Sequence, residues 1–231
     1  MDAPSAVGTE QRQRWRIVAA RDARAAHQTQ QELVEAWLTG LAHSGLPVAM
    51  TDGARPRRRV TFGAPLPVGM TAGGELIDVI LAERLPVWRV REALEAHAPA
   101  GWRVLRLHDV WVGGPPLPGR IVAADHRIDI AAVPDPARLV AAAAELLGKE
   151  RIDRERIKGD SRVAYDLRPL LLDVRVVVGD GVTALLTRTR VDPALGSGRP
   201  DEVLAALAEC AGMGLEATST IRERLLLAED L

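Results

Sequence analysis

The sequence predicts an α+β fold of two tandem ferredoxin-like halves, each an antiparallel sheet with helices on one face. Three observations predict it. Strand-like and helix-like periodicities alternate as β, α, β, β, α, β from residue 14 to 112. The same order returns from 120 to 231, as a duplicated plan would give, without residue-level identity between the halves. Between them lies GGPPLPG, residues 113–119, which sustains no helix, lacks donors for a ladder and reads as a linker.

Residues 1–13 are polar, small and uncapped, and are expected to be disordered. RWRIVAA, from Arg14 to Ala20, reads as the first strand, with Trp15, Ile17 and Ala19 on one face. A helical pattern follows from about Asp22 to His43, carried by Leu33, Trp37, Leu38 and Leu41, and Gly45 suits its stop. A short strand near Pro47 to Met50 then leads into an arginine-rich run. GELIDVILAE, Gly74 to Glu83, alternates as a strand. Pro86 opens a helix to about His97 with Val87, Val90, Arg91 and Leu94 inward, and WRVLRLHDVWV closes the half.

In the second half Arg127 to Ala132 is a strand, and Asp135 caps and Pro136 starts the helix PARLVAAAAELLG, closed by Gly148. KERIDRERIKGDSR reads as a polar stretch between elements. VAYDLRPLLLDVRVVV turns at Gly179, Asp180 and Gly181 into VTALLTRTRV. Pro200, with Asp201 and Glu202 behind it, opens the helix PDEVLAALAECAG, where the carboxylates suit the positive helix end. STIRERLLL is the last strand.

With 47% hydrophobic and 26% charged residues in 231, and no apolar run near the roughly 20 residues a membrane span needs, the chain reads as soluble and globular. MDAPSAVGTEQRQR lacks a basic start followed by an apolar region, so no secretory signal is expected and the location reads as cytoplasmic. The single cysteine, Cys210, excludes an internal disulfide framework and an all-cysteine zinc or iron–sulfur site within this chain. A net charge of −1 argues against indiscriminate coating of nucleic acid. Yet Lys149 and Lys158 are the only lysines among 30 basic residues. Genomic base composition accounts for part of that bias; the functional reading is that arginine grips phosphate and carboxylate bidentately and lysine does not.

The bias is most concentrated between Pro47 and Met70, where Arg55, Arg57, Arg58 and Arg59 fall within five residues. In a strand Arg57, Arg59 and Thr61 point one way and Arg58, Val60 and Phe62 the other, so one basic stripe faces water. The competing reading is a solvated hairpin edge whose charges block strand pairing. Arg188, Arg190, Arg222 and Arg224, on strands of the second half, either extend the stripe or pair with Glu223 and Glu202. Arg168 is a further candidate for binding, weighed against bracing a carboxylate such as Asp166. His27, at the start of the first long helix, is a weak candidate general base, since histidine titrates near neutral pH. The other histidines show no metal-ligand spacing, and the five tryptophans read as core anchors, with Trp111 the exception.

The chain resembles the small radical SAM-linked proteins, domains of unknown function found beside, or fused to, a radical SAM enzyme with a cobalamin-binding region. Gly53, Pro56, Arg57, Arg59, Phe62, Pro65, Pro67 and Gly69 match the family's first motif; Met50, Ala54, Arg55 and Arg58 depart from it. YDLRPLLLDVRV matches a second at Asp166, Leu167, Arg168 and Pro169, and GSGRPDEVLAAL with RERLLL a third. The family's Ser-His-Leu-Asp-Leu helix start is AHQTQ here, with only His27 kept. The resemblance implies a cytoplasmic bacterial protein working with a radical SAM partner that carries S-adenosylmethionine, the iron–sulfur cluster and cobalamin, with no cofactor in this chain.

The favoured function is a non-catalytic accessory module presenting RNA, such as tRNA or rRNA, through the arginine hairpin. Two alternatives stand beside it: a metal-independent endoribonuclease using His27, as in tandem ferredoxin-like CRISPR repeat-processing enzymes by fold analogy, and a purely structural protein–protein partner.

Overall fold

The structure, a computed structural model, describes residues 11–158, 161–179 and 181–231. It is mixed α+β, with mostly antiparallel pairing and four α-helices among the described residues. Two compact units divide it, Met1–Arg120 and Ile121–Leu231.

The first unit runs β1 (Gln13–Arg21), α1 (Gln30–His43), β2 (Val60–Phe62), β3 (Thr71–Leu81), α2 (Val87–His97) and β4 (Trp102–Val110). Its strands pair antiparallel in the order β4-β1-β3-β2. Alternation sorts the sheet into two faces. Trp15, Ile17, Ile77, Val79 and Val104 pack beneath Leu33, Trp37 and Leu41 of α1 and Val90 and Leu94 of α2, with Trp37 meeting Trp102 edge-on at 5.6 Å. Val87, expected inward, is exposed.

The other face carries a buried polar cluster at its centre. Thr61, Asp78, Arg16 and His108 stand opposite one another across four strands. Arg14 donates to Asp78 Oδ2 from Nε (2.9 Å) and Nη2 (2.6 Å), and Arg16 to Oδ1 from Nε (2.8 Å) and to Oδ2 from Nη2 (2.9 Å). Both arginines are 5% exposed and Asp78 2%, so every donor needs an acceptor. Gly114 O and Pro115 O supply two of them, each 3.0 Å from Arg14. The Gly/Pro run expected as a linker is therefore bound into the first unit: after Pro116 it closes into the 3-10 turn Leu117–Arg120, with Leu117 fully buried.

Helix α1 begins at Gln30 rather than Asp22. The cause is a capping box: Thr29 Oγ1 accepts from Glu32 N (3.3 Å) while the Glu32 carboxylate accepts from Thr29 N (2.8 Å). Residues 22–29 form a turn instead, fastened where Asp22 N donates to Gly101 O at 2.9 Å. Gly101 has φ +79°, and a Cβ there would lie 2.8 Å from Ala25 N.

The second unit runs β5 (Ile121–Ile130), α3 (Pro136–Gly148), β6 (Asp153–Lys158), β7 (Ser161–Asp166), β8 (Leu171–Gly179), β9 (Val182–Asp192), β10 (Gly196–Ser197), α4 (Pro200–Ala211) and β11 (Ala217–Leu227). Four strands pair antiparallel as β8-β9-β5-β11, with β10 added to the end of β9. Putting β5, β8, β9 and β11 in the places of β1 to β4 reproduces the order of the first unit. Ile128, Ile130, Val174 and Leu185 pack against Leu139, Ala142, Ala143 and Leu146 of α3 and Val203 and Leu207 of α4.

Local chemistry sets these helix ends. Asp135 accepts from Arg138 N at 3.0 Å with Pro136 in the first turn, and α4 stops at left-handed Gly212 (φ 61°). The stretch expected to lie between elements is a hairpin, β6 with β7, held to α4 by Arg154 on Glu202 (2.9 Å). Of the predicted disordered N-terminus, residues 1–10 lie outside the described residues, while Gln13 is buried, donating to Asp109 Oδ2 (2.8 Å) and accepting from Leu85 N (2.9 Å). Asp180 of the predicted turn also lies outside them; Gly179 pairs with Val182 and Gly181 has φ +78°. Among the described residues no helix is long and apolar enough to cross a membrane.

Removing the shared carboxylate leaves two guanidiniums buried without a counter-ion. Asp78→Ala is expected to cost about 3–5 kcal/mol in urea unfolding, against about 1 kcal/mol for Thr29→Ala, which removes only a helix cap. Equal losses would contradict this account of the polar face.

Candidate nucleic-acid interface

The arginine run is a hairpin grown from the edge of β3. Val48 bridges to Leu81, Ala49 N donates to Ile80 O (2.8 Å), and Arg59 N returns to Ala49 O (2.7 Å). Beyond that rung Thr51 N donates to Arg57 O (2.8 Å), Arg57 N donates to Thr51 Oγ1 (2.9 Å), and Gly53 at φ +117° turns the chain where a side chain would strain it. The backbone is thus fixed by its own bonds.

The four guanidiniums do not share one fate. Arg59 is half-buried, donating to Met50 O (3.0 Å) and pairing with Asp52 at 3.2 Å. Thr61 is half-buried opposite Asp78, not on a solvent stripe. Arg55, Arg57 and Arg58 are exposed, and among the described residues none pairs with a carboxylate. The basic surface is therefore three arginines rather than the alternating set read from the sequence.

The remaining motif residues build the support. Phe62 packs on the first unit's core, and Gly69 (φ +85°) donates from N to Ala26 O (2.7 Å). Buried Arg21 donates to Pro67 O (2.9 Å) and to Met70 O, fixing the loop after β2. Pro56 lies at the exposed hairpin end, and Pro65 is exposed in that loop.

His27 is exposed in the turn before α1, which the Gly69 bond places beside the Thr71 end of β3. The hairpin sits at the Leu81 end. From Ala72 to Ile80 the strand rises about 26 Å, so the structure does not bring His27 and the arginines together. Among the described residues no three His, Cys, Asp or Glu side chains gather into a set able to hold a metal ion.

In the second unit the candidate cations are engaged. Arg188 grips Asp125 through Nε (2.7 Å) and Nη2 (3.0 Å), and Arg224 adds 2.8 Å to the same carboxylate. Their partner is thus Asp125 of β5, not Glu223 or Glu202. Burial alone would raise the Asp125 carboxyl; the two guanidiniums outweigh it and hold the acid below its usual range. A pocket of about 240 Å³ opens here, where Asp125, Asp173 and Glu223 offset Arg175, Arg188 and Arg224, leaving no surplus charge for a polyanion. Arg190 is exposed and reaches Pro169 O (3.3 Å). Arg168 is structural: it donates to Lys149 O (3.0 Å) and Leu171 O (2.8 Å), while Asp166 accepts from Ile152 N (2.8 Å) and Arg168 N (2.9 Å).

Two features escaped sequence reasoning. The first is Trp88, 65% exposed; Trp111, expected as the exception among the tryptophans, is 77% exposed, whereas Trp15, Trp37 and Trp102 are core residues. Trp88 was legible, since it falls between the inward positions of α2. His126 is buried opposite Thr187 and Arg222, its Nδ1 without a partner among the described residues. Burial, reinforced by the Arg222 charge, pushes its pKa down to about 4.

A family model described as an uncharacterized protein conserved in bacteria, DUF2344, matches residues 14–200. No curated protein matches the chain. Among solved structures, one from a Cbf5-Nop10-Gar1 complex is similar at 10% identity and TM-score 0.55; 91% of this chain aligns, spanning 48% of that one, so this chain spans about half its length. An unknown protein from Galdieria sulphuraria aligns at 13% identity and TM-score 0.27, covering 89% of this chain and 97% of that one. A Cas6 product complex aligns at 16% and 0.24, covering 92% and 99%.

The depressed imidazole gives a signed pH dependence. Unfolded histidine protonates near 6.5 and His126 near 4, so stability is full above pH 6.5 and declines as pH falls toward 4. The loss reaches about 3 kcal/mol. Urea unfolding across that range should show this slope, and His126→Gln should flatten it; an unchanged slope would refute the assignment.

Proposed function

The chain belongs to DUF2344, an uncharacterized family conserved in bacteria, and on that footing we propose that it is a non-catalytic binding module presenting RNA to a radical SAM enzyme. The observation carrying the RNA part is the set Arg55, Arg57 and Arg58, exposed, clear of carboxylates and mounted on a backbone-bonded hairpin. Guanidiniums so placed suit phosphate oxygens, which accept bidentate bonds. Chemistry belongs to the partner, which carries the S-adenosylmethionine, iron–sulfur cluster and cobalamin; the motif residues Gly53, Pro56, Arg57, Arg59, Asp166 and Arg168 support that pairing by resemblance. Each unit's strand order supports reading it as a ferredoxin-like half, and the expected setting is the cytoplasm.

Three phosphate contacts on a single strand should give a slope of log affinity against log salt near −0.7 × 3, about −2. Anisotropy of labelled tRNA or rRNA fragments across a salt series measures it, and Arg55→Glu/Arg57→Glu/Arg58→Glu should abolish binding. Salt-independent binding, or full retention by the triple variant, would overturn the RNA reading. Failure of the radical SAM protein to co-purify would remove the partner.

A further inference from the structure

We infer that Trp88 and Trp111 form a base-stacking platform at the arginine-bearing end of the first unit, making unpaired RNA, rather than duplex, the ligand. This rests on the RNA-binding reading of the hairpin and names what that site selects.

Strand register brings these residues to one end. β1 starts where β3 and β4 finish, with Gln13 opposite Leu81 and Arg14 opposite Val110. The hairpin hangs from Ile80 and Leu81, α2 starts at Val87 shortly after β3, and Trp111 follows β4 directly. Arg84 on Asp109 (3.1 Å), and Gln13 bridging Asp109 (2.8 Å) and Leu85 N (2.9 Å), tie the segment just before α2 to the end of β4. Four strands at about 4.8 Å spacing separate hairpin and Trp111 by about 15 Å across the sheet, within reach of a few nucleotides.

The chemistry of that end is lopsided. Two indoles are exposed while the other three tryptophans of the chain are buried. Trp111 has a seat of its own: its ring lies so close to Gly113 that a Cβ there would be 2.9 Å from Cζ2. Exposed Arg89 adjoins Trp88. The neighbouring acids Asp52 and Asp109 are paired with Arg59 and Arg84, and exposed Glu83 is matched in number by exposed Arg89, leaving Arg55, Arg57 and Arg58 as the surplus charge. Aromatic faces beside unpaired cations suit bases and phosphates of one strand, since a paired A-form helix presents no base face to stack upon.

The test uses the full chain with a fluorescein-labelled 12-nucleotide RNA, single-stranded or annealed to its complement. Single strands should bind at least about tenfold tighter than duplex and quench tryptophan emission. Trp88→Ala/Trp111→Ala should weaken single-strand binding by about tenfold or more with an unchanged salt slope, and Trp88→Phe/Trp111→Phe should restore most of it. Equal affinity for duplex, or full binding by the alanine pair while Arg57→Glu/Arg58→Glu loses it, overturns the platform and leaves the hairpin reading standing. If the wild type binds neither RNA, the hairpin reading falls as well. If the alanine pair keeps RNA but loses the radical SAM protein on co-purification, the surface is a protein interface and the inference is wrong.

Discussion

One buried carboxylate between two guanidiniums governs the first unit. Asp78 answers Arg14 and Arg16, which leaves one positive charge uncompensated in a place with almost no water. Carbonyl oxygens must make up the difference, and the Gly/Pro run provides them economically: proline offers an acceptor without adding an N–H that would itself need a partner. A register slip between β1 and β3 would turn Arg14 and Arg16 toward the helices, so this contact also fixes which face of the sheet is apolar. The hairpin depends on the same register, since it hangs from Ile80 and Leu81 of β3.

Arginine therefore plays two opposed roles in one chain. Arg14, Arg16, Arg154 and Arg188 sit within 3 Å of carboxylate oxygens and serve as internal struts. Arg55, Arg57 and Arg58 face water on a short, fixed hairpin. Nearness to an acid separates the roles, and residue type alone does not. That is why a net charge of −1 coexists with a local surplus.

Much of the fold was legible because its signals are local. Asp135 with Pro136 marked α3, and Pro200 with Gly212 bounded α4. The misreadings have local or tertiary causes. The apolar spacing of Leu33, Trp37 and Leu41 suggests a longer α1, whereas the capping box that Thr29 and Glu32 spell starts it at Gln30. The β6–β7 hairpin escapes the pattern because charges occupy both its faces, Arg162 with Glu155 at 3.6 Å on the exposed one and Arg154 turned in to Glu202 of α4, which masks the strand alternation. The Gly/Pro run looked like a tether because composition says nothing of which carbonyls a distant arginine will need. At the site, the density of arginines was visible, whereas the diversion of Arg59 to Asp52 and of Arg188 to Asp125 follows from pairings across many residues.

The strap over the polar face is also the last part of the first unit to be synthesised. Arg14 and Arg16 are buried around a single carboxylate, so the two carbonyls of this run supply acceptors that the strands alone do not. The first unit is thus complete only with this glycine- and proline-rich run in place, and not with its strands alone.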